Sequence, residues 1–169
     1  MPVEILNAGR ALLLIIVANS VPWVAGRVLG HHWSASIDSG VVLGDGERLL
    51  GSHKTWRGLV AGTLASGLVG AFTGLAFAMG AGVGAVSLVA DALSSAVKRR
   101  FRLAPGTEVL GLDQLPEALL PLLIFAPALS IGALEIVAAT AAFLILDVLV
   151  TRLRHRQPAV ASRRTPPPG

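Results

Sequence analysis

Apolar residues run through this chain in long blocks, with the polar residues gathered between them. A membrane-crossing helix needs roughly 20 mostly apolar residues to span about 30 Å of hydrocarbon. Five blocks are candidate spans. The first, Ala8 to Leu29, carries ALLLIIV. The second, Leu59 to Met79, holds no charge, and the third, Gly82 to Val97, holds one acid, Asp91. The fourth, Pro116 to Leu129, opens on a proline that suits a helix start, with Pro121 and Pro127 inside as expected kinks. The fifth, Ile136 to Val150, ends in the basic stretch TRLRHR. The last three are short for full spans. The first block reads as a span rather than a cleaved leader, because its early base, Arg10, follows Glu4 and no cleavage pattern comes after. The pattern predicts an all-α, polytopic membrane protein with about five transmembrane helices and two cytoplasmic functional loops. It forms one domain over residues 1–156, followed by a disordered, basic, proline-rich tail over 157–169. No internal repeat is visible.

Composition strengthens this reading. Hydrophobic residues make up 53% of the 169 and charged residues 14%, against about 25% charged in a typical soluble chain. Mean hydropathy is +0.70, and the 19 glycines suit membrane helices. A soluble enzyme and a nucleic-acid-binding chain are excluded despite a pI near 11.0. With no cysteine there is no disulfide framework, thiolate metal site or cysteine nucleophile.

Charge sets an orientation. Five spans place the two termini on opposite sides. One side then receives Arg27, Arg48, Lys54 and Arg57; Lys98, Arg99, Arg100 and Arg102; and Arg152, Arg154, Arg156, Arg163 and Arg164. Of the 14 bases, this leaves Arg10 alone on the other side. By the positive-inside rule the N-terminus is outside and the C-terminus cytoplasmic, in a cell (inner) membrane. The acids follow: Asp38, Asp45 and Glu47 fall in the first cytoplasmic loop, and Glu108, Asp113 and Glu117 in or beside the second. Any chemistry belongs to the cytoplasmic membrane surface.

Asp91 is the most informative acid. Ser87, Ser94 and Ser95 lie three or four residues from it and Lys98 three beyond Ser95, on one helical face. A carboxylate at membrane depth costs several kcal/mol, roughly, so it must be paired, metal-bound or facing water. Two readings follow: neutralisation by Lys54 or Lys98, or a divalent-cation ligand in a cavity open to the cytoplasm. GSHKTWRG, Gly51 to Gly58, is an anion cradle in a glycine-bounded turn, though not a Walker loop. With Asp91 and Asp113 on the same side, it points to a magnesium-bound polyphosphate. Small residues recur every four positions at Gly58, Gly62, Ser66, Gly70 and Gly74, a packing stripe that serves an intramolecular contact or a homodimer equally well. His31 and His32, beside Trp33, read as an interfacial belt and not as metal ligands. Asp147, with bases a turn or two on, reads as half of a local ion pair.

At these residues the sequence resembles the CDP-archaeol synthases, a branch of the membrane CTP:phosphatidate cytidylyltransferases. The matching stretches are ANSVP (Ala18 to Pro22), an isolated Asp38, LGSHKTWRG (Leu50 to Gly58), ADALSSAVKRRF (Ala90 to Phe101) and LDQLPE (Leu112 to Glu117). The resemblance covers roughly Ala18 to Leu123. It implies an enzyme that converts CTP and a phosphorylated glycerolipid, ether- or ester-linked, to a CDP-lipid and pyrophosphate, with Mg²⁺. By motif, Asp91 and Asp113 are the implied metal carboxylates and, with Lys98, the implied catalytic residues, Lys98 also holding the triphosphate or lipid phosphate. Lys54, Thr55, Arg57, Arg99 and Gln114 are implied on the substrates' polar groups. Asn19 and Ser20, in a break before Pro22, are implied in the cavity wall, and Asp38 in holding the site's loop. Two positions depart from the family: Pro116 stands where LDQLDF has its second acid, with Glu117 expected to point elsewhere, and Ala90 stands where a glycine usually precedes the aspartate. The alternatives are a CDP-diacylglycerol synthase acting on ester-linked phosphatidate, an inactive relative, or a non-enzymatic small transporter or assembly protein with Asp91 as a coupling site. The absence of inverted repeats weighs against a transporter.

Overall fold

A computed structural model describes residues 2–104, 107, 109 and 111–156, without the side chains of 153–156. The expected tail over 157–169 and Glu108 lie outside the described residues. Five helices follow one another: α1 (Val3–Leu29), α2 (Trp56–Phe72), α3 (Phe77–Arg100), α4 (Gln114–Leu129) and α5 (Ala133–Arg156). At about 1.5 Å per residue, α1, α3 and α5 exceed the 30 Å hydrocarbon layer, while α2 and α4 fall somewhat short of it. Three helices are long and apolar enough to cross a membrane by length and composition. The chain is an all-α integral membrane protein, as the block pattern predicts.

The expected second span, 59–79, joins what are two helices. α2 stops at Phe72, the chain turns through Thr73 and Gly74, and α3 begins at Phe77. Gly74 closes the turn with φ +85°, a left-handed conformation that glycine adopts without strain. It is therefore a turn residue and not the last member of the packing stripe. The turn lacks charge and proline, so nothing in hydropathy marks it.

The rest of the stripe packs within the chain. α2 lies against both α1 and α3, and its small face has no room to spare. A Cβ on Gly62 would meet the Ala18 carbonyl oxygen at 2.6 Å, and one on Gly70 would meet Gly80 Cα at 2.9 Å. From α3, a Cβ on Gly80 would meet the Ser66 carbonyl oxygen at 2.6 Å. Ser66 is buried and donates to the Gly80 carbonyl at 2.8 Å. Pro22 contributes to the fit. Lacking an N–H, it leaves the Ala18 carbonyl without its usual helical donor, and Gly62 lies over that carbonyl. α1 nevertheless runs unbroken through Pro22, so the expected break at Asn19 and Ser20 does not occur. Pro121 and Pro127 likewise lie inside a continuous α4.

Around the small-residue centre, Leu14, Ile15, Val83, Ala118, Leu122 and Phe143 form an apolar core. Large apolar side chains on the outer faces, such as Val60, Leu64, Leu68, Ile124 and Ile145, are exposed. In water this would be inside out; in lipid it is what membrane helix packing requires. Gly62→Ala and Gly80→Ala should each cost about 1–3 kcal/mol, read as an earlier thermal melt in detergent. Gly9→Ala, whose Cβ meets nothing within 4 Å, should leave the melt unchanged or raise it. A neutral Gly62→Ala would refute this packing account.

Candidate functional site

Between α1 and α2 the chain makes a polar loop, pinned by one carboxylate. Asp38 is buried. Its Oδ1 accepts from Arg48 Nη2 at 2.6 Å and the Gly40 N–H at 3.1 Å; its Oδ2 accepts from the Leu50 and Gly51 N–H groups, each at 3.1 Å. Burial opposes its charge, but the Arg48 guanidinium and the three backbone donors outweigh burial and hold the carboxyl well below the usual carboxylate range. Isolated bridges pair Ser36 with Thr55 and Val42 with Arg48. Arg100 ties the loop to the end of α3 through Asp45 at 2.8 Å and the Arg48 carbonyl at 2.8 Å. The loop then delivers Lys54 and Thr55 to the start of α2. Thr55 caps that helix, its Oγ1 accepting from the Gly58 N–H at 3.2 Å.

These elements enclose a cavity of about 580 Å³. α1 lines it with Asn19, Pro22 and Trp23; the loop with His53, Lys54 and Thr55; and α2 with Arg57, Gly58 and Leu59. α3 adds Leu88, Asp91 and Lys98; the α3–α4 connection and α4 add Thr107, Asp113, Gln114 and Glu117; and α5 adds Asp147. Residues more than 120 positions apart thus share one wall.

Charges are paired across elements. Lys54 Nζ forms an ion pair with Asp91 Oδ2, one of the two partners expected for that carboxylate. Lys98, the other, instead serves Asp113. Its Nζ lies 2.8 Å from Oδ1, donates to Oδ2 at 2.9 Å, and donates to the Thr107 carbonyl at 2.9 Å. The Val109 N–H also reaches Asp113 Oδ2 at 3.1 Å. Gln114 Nε2 donates to Asp147 Oδ2 at 2.8 Å while its Oε1 accepts from the Gly111 N–H at 2.8 Å. Asn19 Nδ2 donates to Ser87 Oγ at 2.8 Å and the Ile15 carbonyl at 3.0 Å. Ser87, Ser94, Ser95 and Lys98 are buried along one face of α3, as the spacing predicts.

Of the expected site residues, the structure brings together Asn19, Lys54, Thr55, Arg57, Asp91, Lys98, Asp113 and Gln114. Three sit elsewhere. Ser20 is exposed on the continuous α1. Asp38 organises the loop from beneath. Arg99 is 2% exposed and holds the turn after α3, donating from Nη2 to the Ala104 carbonyl at 2.7 Å. Arg57 borders the cavity but also donates to the Gly30 carbonyl at 3.0 Å, closing the end of α1. His31, His32 and Trp33 are exposed beyond that end. The sequence did not single out Glu117, His53 or Asp147 as cavity residues. Glu117 was expected to point away, yet it is buried and lines the wall, because α4 starts at Gln114 and turns that face inward. For Asp147, an inward acid near the end of an apolar helix was the available signal.

The fold and the cavity together define a polytopic membrane protein whose charged chamber sits among its helices. The sequence model for the CarS-like CDP-archaeol synthases matches residues 5–81. The chain is 38% identical over 119 residues to the CDP-archaeol synthase of Thermofilum pendens, covering 64% of this chain and 57% of that one. It is 34% identical over 120 residues to that of Pyrococcus furiosus, covering 65% and 68%, and 42% identical over 94 residues to that of Thermococcus kodakarensis, covering 47% and 53%. A solved structure of an intramembrane enzyme for archaeal membrane lipids biosynthesis superposes with a TM-score of 0.72 at 33% identity, covering 85% of this chain and 91% of that chain. The chain belongs to the CDP-archaeol synthase family. The matches span 57%, 68% and 53% of the lengths of these three relatives.

The Asp38 hub yields a pH prediction. A carboxyl whose pKa is depressed on folding stabilises above its unfolded value of about 3.9 and loses that contribution as pH falls toward the folded value. Loop order, followed by hydrogen exchange at the Leu50 and Gly51 amides, should persist from pH 7 down to about 4 and decay below it. Asp38→Asn should exchange rapidly at pH 7 already. Protection that is unchanged in this variant would contradict the hub.

Proposed function

We propose that the chain transfers a cytidylyl group from CTP to a phosphorylated glycerolipid, forming a CDP-lipid and pyrophosphate. The observation that carries the reading is a single chamber in which Lys54, Arg57 and Lys98 face Asp91 and Asp113. Family membership supports it, since the relatives are CDP-archaeol synthases. In the transfer, a lipid phosphate oxygen attacks the α-phosphorus of CTP. The bond from that phosphorus to the bridging oxygen breaks, and pyrophosphate leaves with the electron pair. No covalent enzyme intermediate is needed, so catalysis reduces to positioning and charge neutralisation.

The chain's residues suit those tasks. Lys54 and Lys98 are point charges and Arg57 offers a planar fork for phosphate oxygens. The capped start of α2 adds N–H groups and the positive end of a helix dipole on the same wall. Pro22, Leu59 and Leu88 supply an apolar flank for the glycerolipid. Among the described residues no three acids or histidines converge closely enough to cage a metal. Mg²⁺ commonly takes one or two protein carboxylates, completing its shell with phosphate oxygens and water. A wall that offers Asp91 with other acids nearby fits that requirement. When bound, Mg²⁺ would neutralise charge developing on the phosphate oxygens.

Purified protein given CTP, Mg²⁺ and a panel of ether- and ester-linked lipid phosphates should release pyrophosphate, and Asp91→Asn should reduce release to background. Release by this variant, or none with any acceptor, would refute the reading. The panel also reads which lipid is used.

The chamber faces the cytoplasm in this proposal, with the N-terminus outside and the basic loops inside. A chain without cysteine allows a clean test. Gly44→Cys should react with an impermeant maleimide only in inverted vesicles, and Glu4→Cys only in intact cells. The opposite labelling pattern would reverse the orientation.

A further inference from the structure

The loop between α1 and α2 runs alongside the last turns of α3. Asp91 and Arg100 lie nine residues apart on that helix, about 14 Å along its axis. Lys54 pairs with the first of them. The second donates to Asp45 Oδ2 from Nη1 at 2.8 Å and to the Arg48 carbonyl from Nη2 at 2.8 Å. The loop is therefore deep at Lys54 and level with the end of α3 at its hairpin. Arg100 belongs to the basic last turn of α3, which marks the boundary between bilayer and water. α2 fits the same picture: its 17 residues cover about 26 Å, less than a 30 Å hydrocarbon layer, so it starts below that boundary.

At this level three consecutive apolar residues are uncovered. Val41 is 49% exposed, Val42 56% and Leu43 40%. Phe101, the residue that caps α3 next to Arg100, is exposed as well. Neighbouring side chains of an extended segment point to opposite sides, so exposure of all three means that this chain covers neither side. The backbone is already suited to an apolar neighbour. The Val41 N–H donates to the Asp38 carbonyl at 2.8 Å, and the Val41 carbonyl accepts from the Leu49 N–H at 2.9 Å. The Leu43 N–H donates to the Glu47 carbonyl at 3.0 Å, and the Leu43 carbonyl accepts from the Gly46 N–H at 2.9 Å. Unpaired backbone groups would bar a loop from lipid; these four are paired.

We propose that Val41, Val42 and Leu43 dock on the bilayer itself, in the headgroup–acyl boundary of the leaflet that holds the end of α3, with Phe101 at the same level. The occupant is a lipid surface and not a soluble partner, because the Arg100 tether fixes the hairpin at the depth where α3 leaves the membrane. The bilayer then covers the outer side of the loop whose inner end carries Lys54, whichever group the chamber transfers.

Single cysteines test this in the full chain, which has none of its own. Val42→Cys carrying the polarity-sensitive fluorophore NBD, in phosphatidylcholine–phosphatidylglycerol nanodiscs, should emit at shorter wavelength than the same label at Gly44→Cys in the polar turn. Its quenching by iodide should be weaker by about threefold or more, as for a side chain set into the boundary region. A phospholipid spin-labelled near the acyl carbonyl should quench it more strongly than it quenches the Gly44 label. Circular dichroism and gel filtration check the fold; if Val42→Cys does not fold, Leu43→Cys takes its place with the same expectation. Equal emission and equal iodide quenching at the two positions, or no quenching by the spin-labelled lipid, would overturn the docking. So would a blue shift confined to discs that hold two copies, which would put a second chain on the segment instead.

Discussion

The approach of α2 to α1 and α3 is the constraint on which the rest of the structure depends, and it is a contact of backbone on backbone. Gly62 lies over the Ala18 carbonyl that Pro22 leaves without a helical donor, and Gly70 and Gly80 face each other with no side chain between. Lipid offers no hydrophobic drive for helices to associate, so dispersion at close range and interhelical hydrogen bonds such as that of Ser66 to Gly80 must supply it. Adding a methyl group at these points would separate the helices and widen the chamber at the Thr55 end of α2.

That geometry decides which charges meet. Lys54 stands just before α2, so seating α2 against α3 brings its ammonium to Asp91, 37 residues on. The Asp38 hub and the Arg100 tether hold the loop so that this reach is reproducible. Lys98, about two turns further along the same face of α3, is claimed by Asp113 from the next connection. Buried ion pairs of this kind contribute little net stability, because desolvation offsets most of their attraction. Their value is in orientation: each cation is aimed into the chamber.

The outer surface completes the arrangement. Exposed leucines, valines and isoleucines surround the helices, while the polar loop and the α3–α4 connection gather at one end. The chamber wall accordingly joins lysines to the apolar Pro22, Leu59 and Leu88, as the proposed transfer between a water-soluble nucleotide and a bilayer-borne acceptor requires.

Much of this was legible in the chain itself. Hydropathy placed five apolar helices in order, and serine, aspartate and lysine at helical spacing identified the inward face of α3. The motif resemblance picked out Lys54, Asp91, Lys98 and Asp113, which do share a wall. Periodicity and hydropathy are local properties, so one sequence suffices to read them. The helix boundary at Thr73 and Gly74 was invisible because an uncharged turn has the same hydropathy as the helices it joins. The choice of Lys54 rather than Lys98 as the partner of Asp91, the diversion of Arg99 to the Ala104 carbonyl, and the inward aim of Glu117 were decided only in three dimensions. Each depends on the distance and rotation between helices far apart in sequence, and those are set by side-chain volumes at their crossing points, which no single segment encodes.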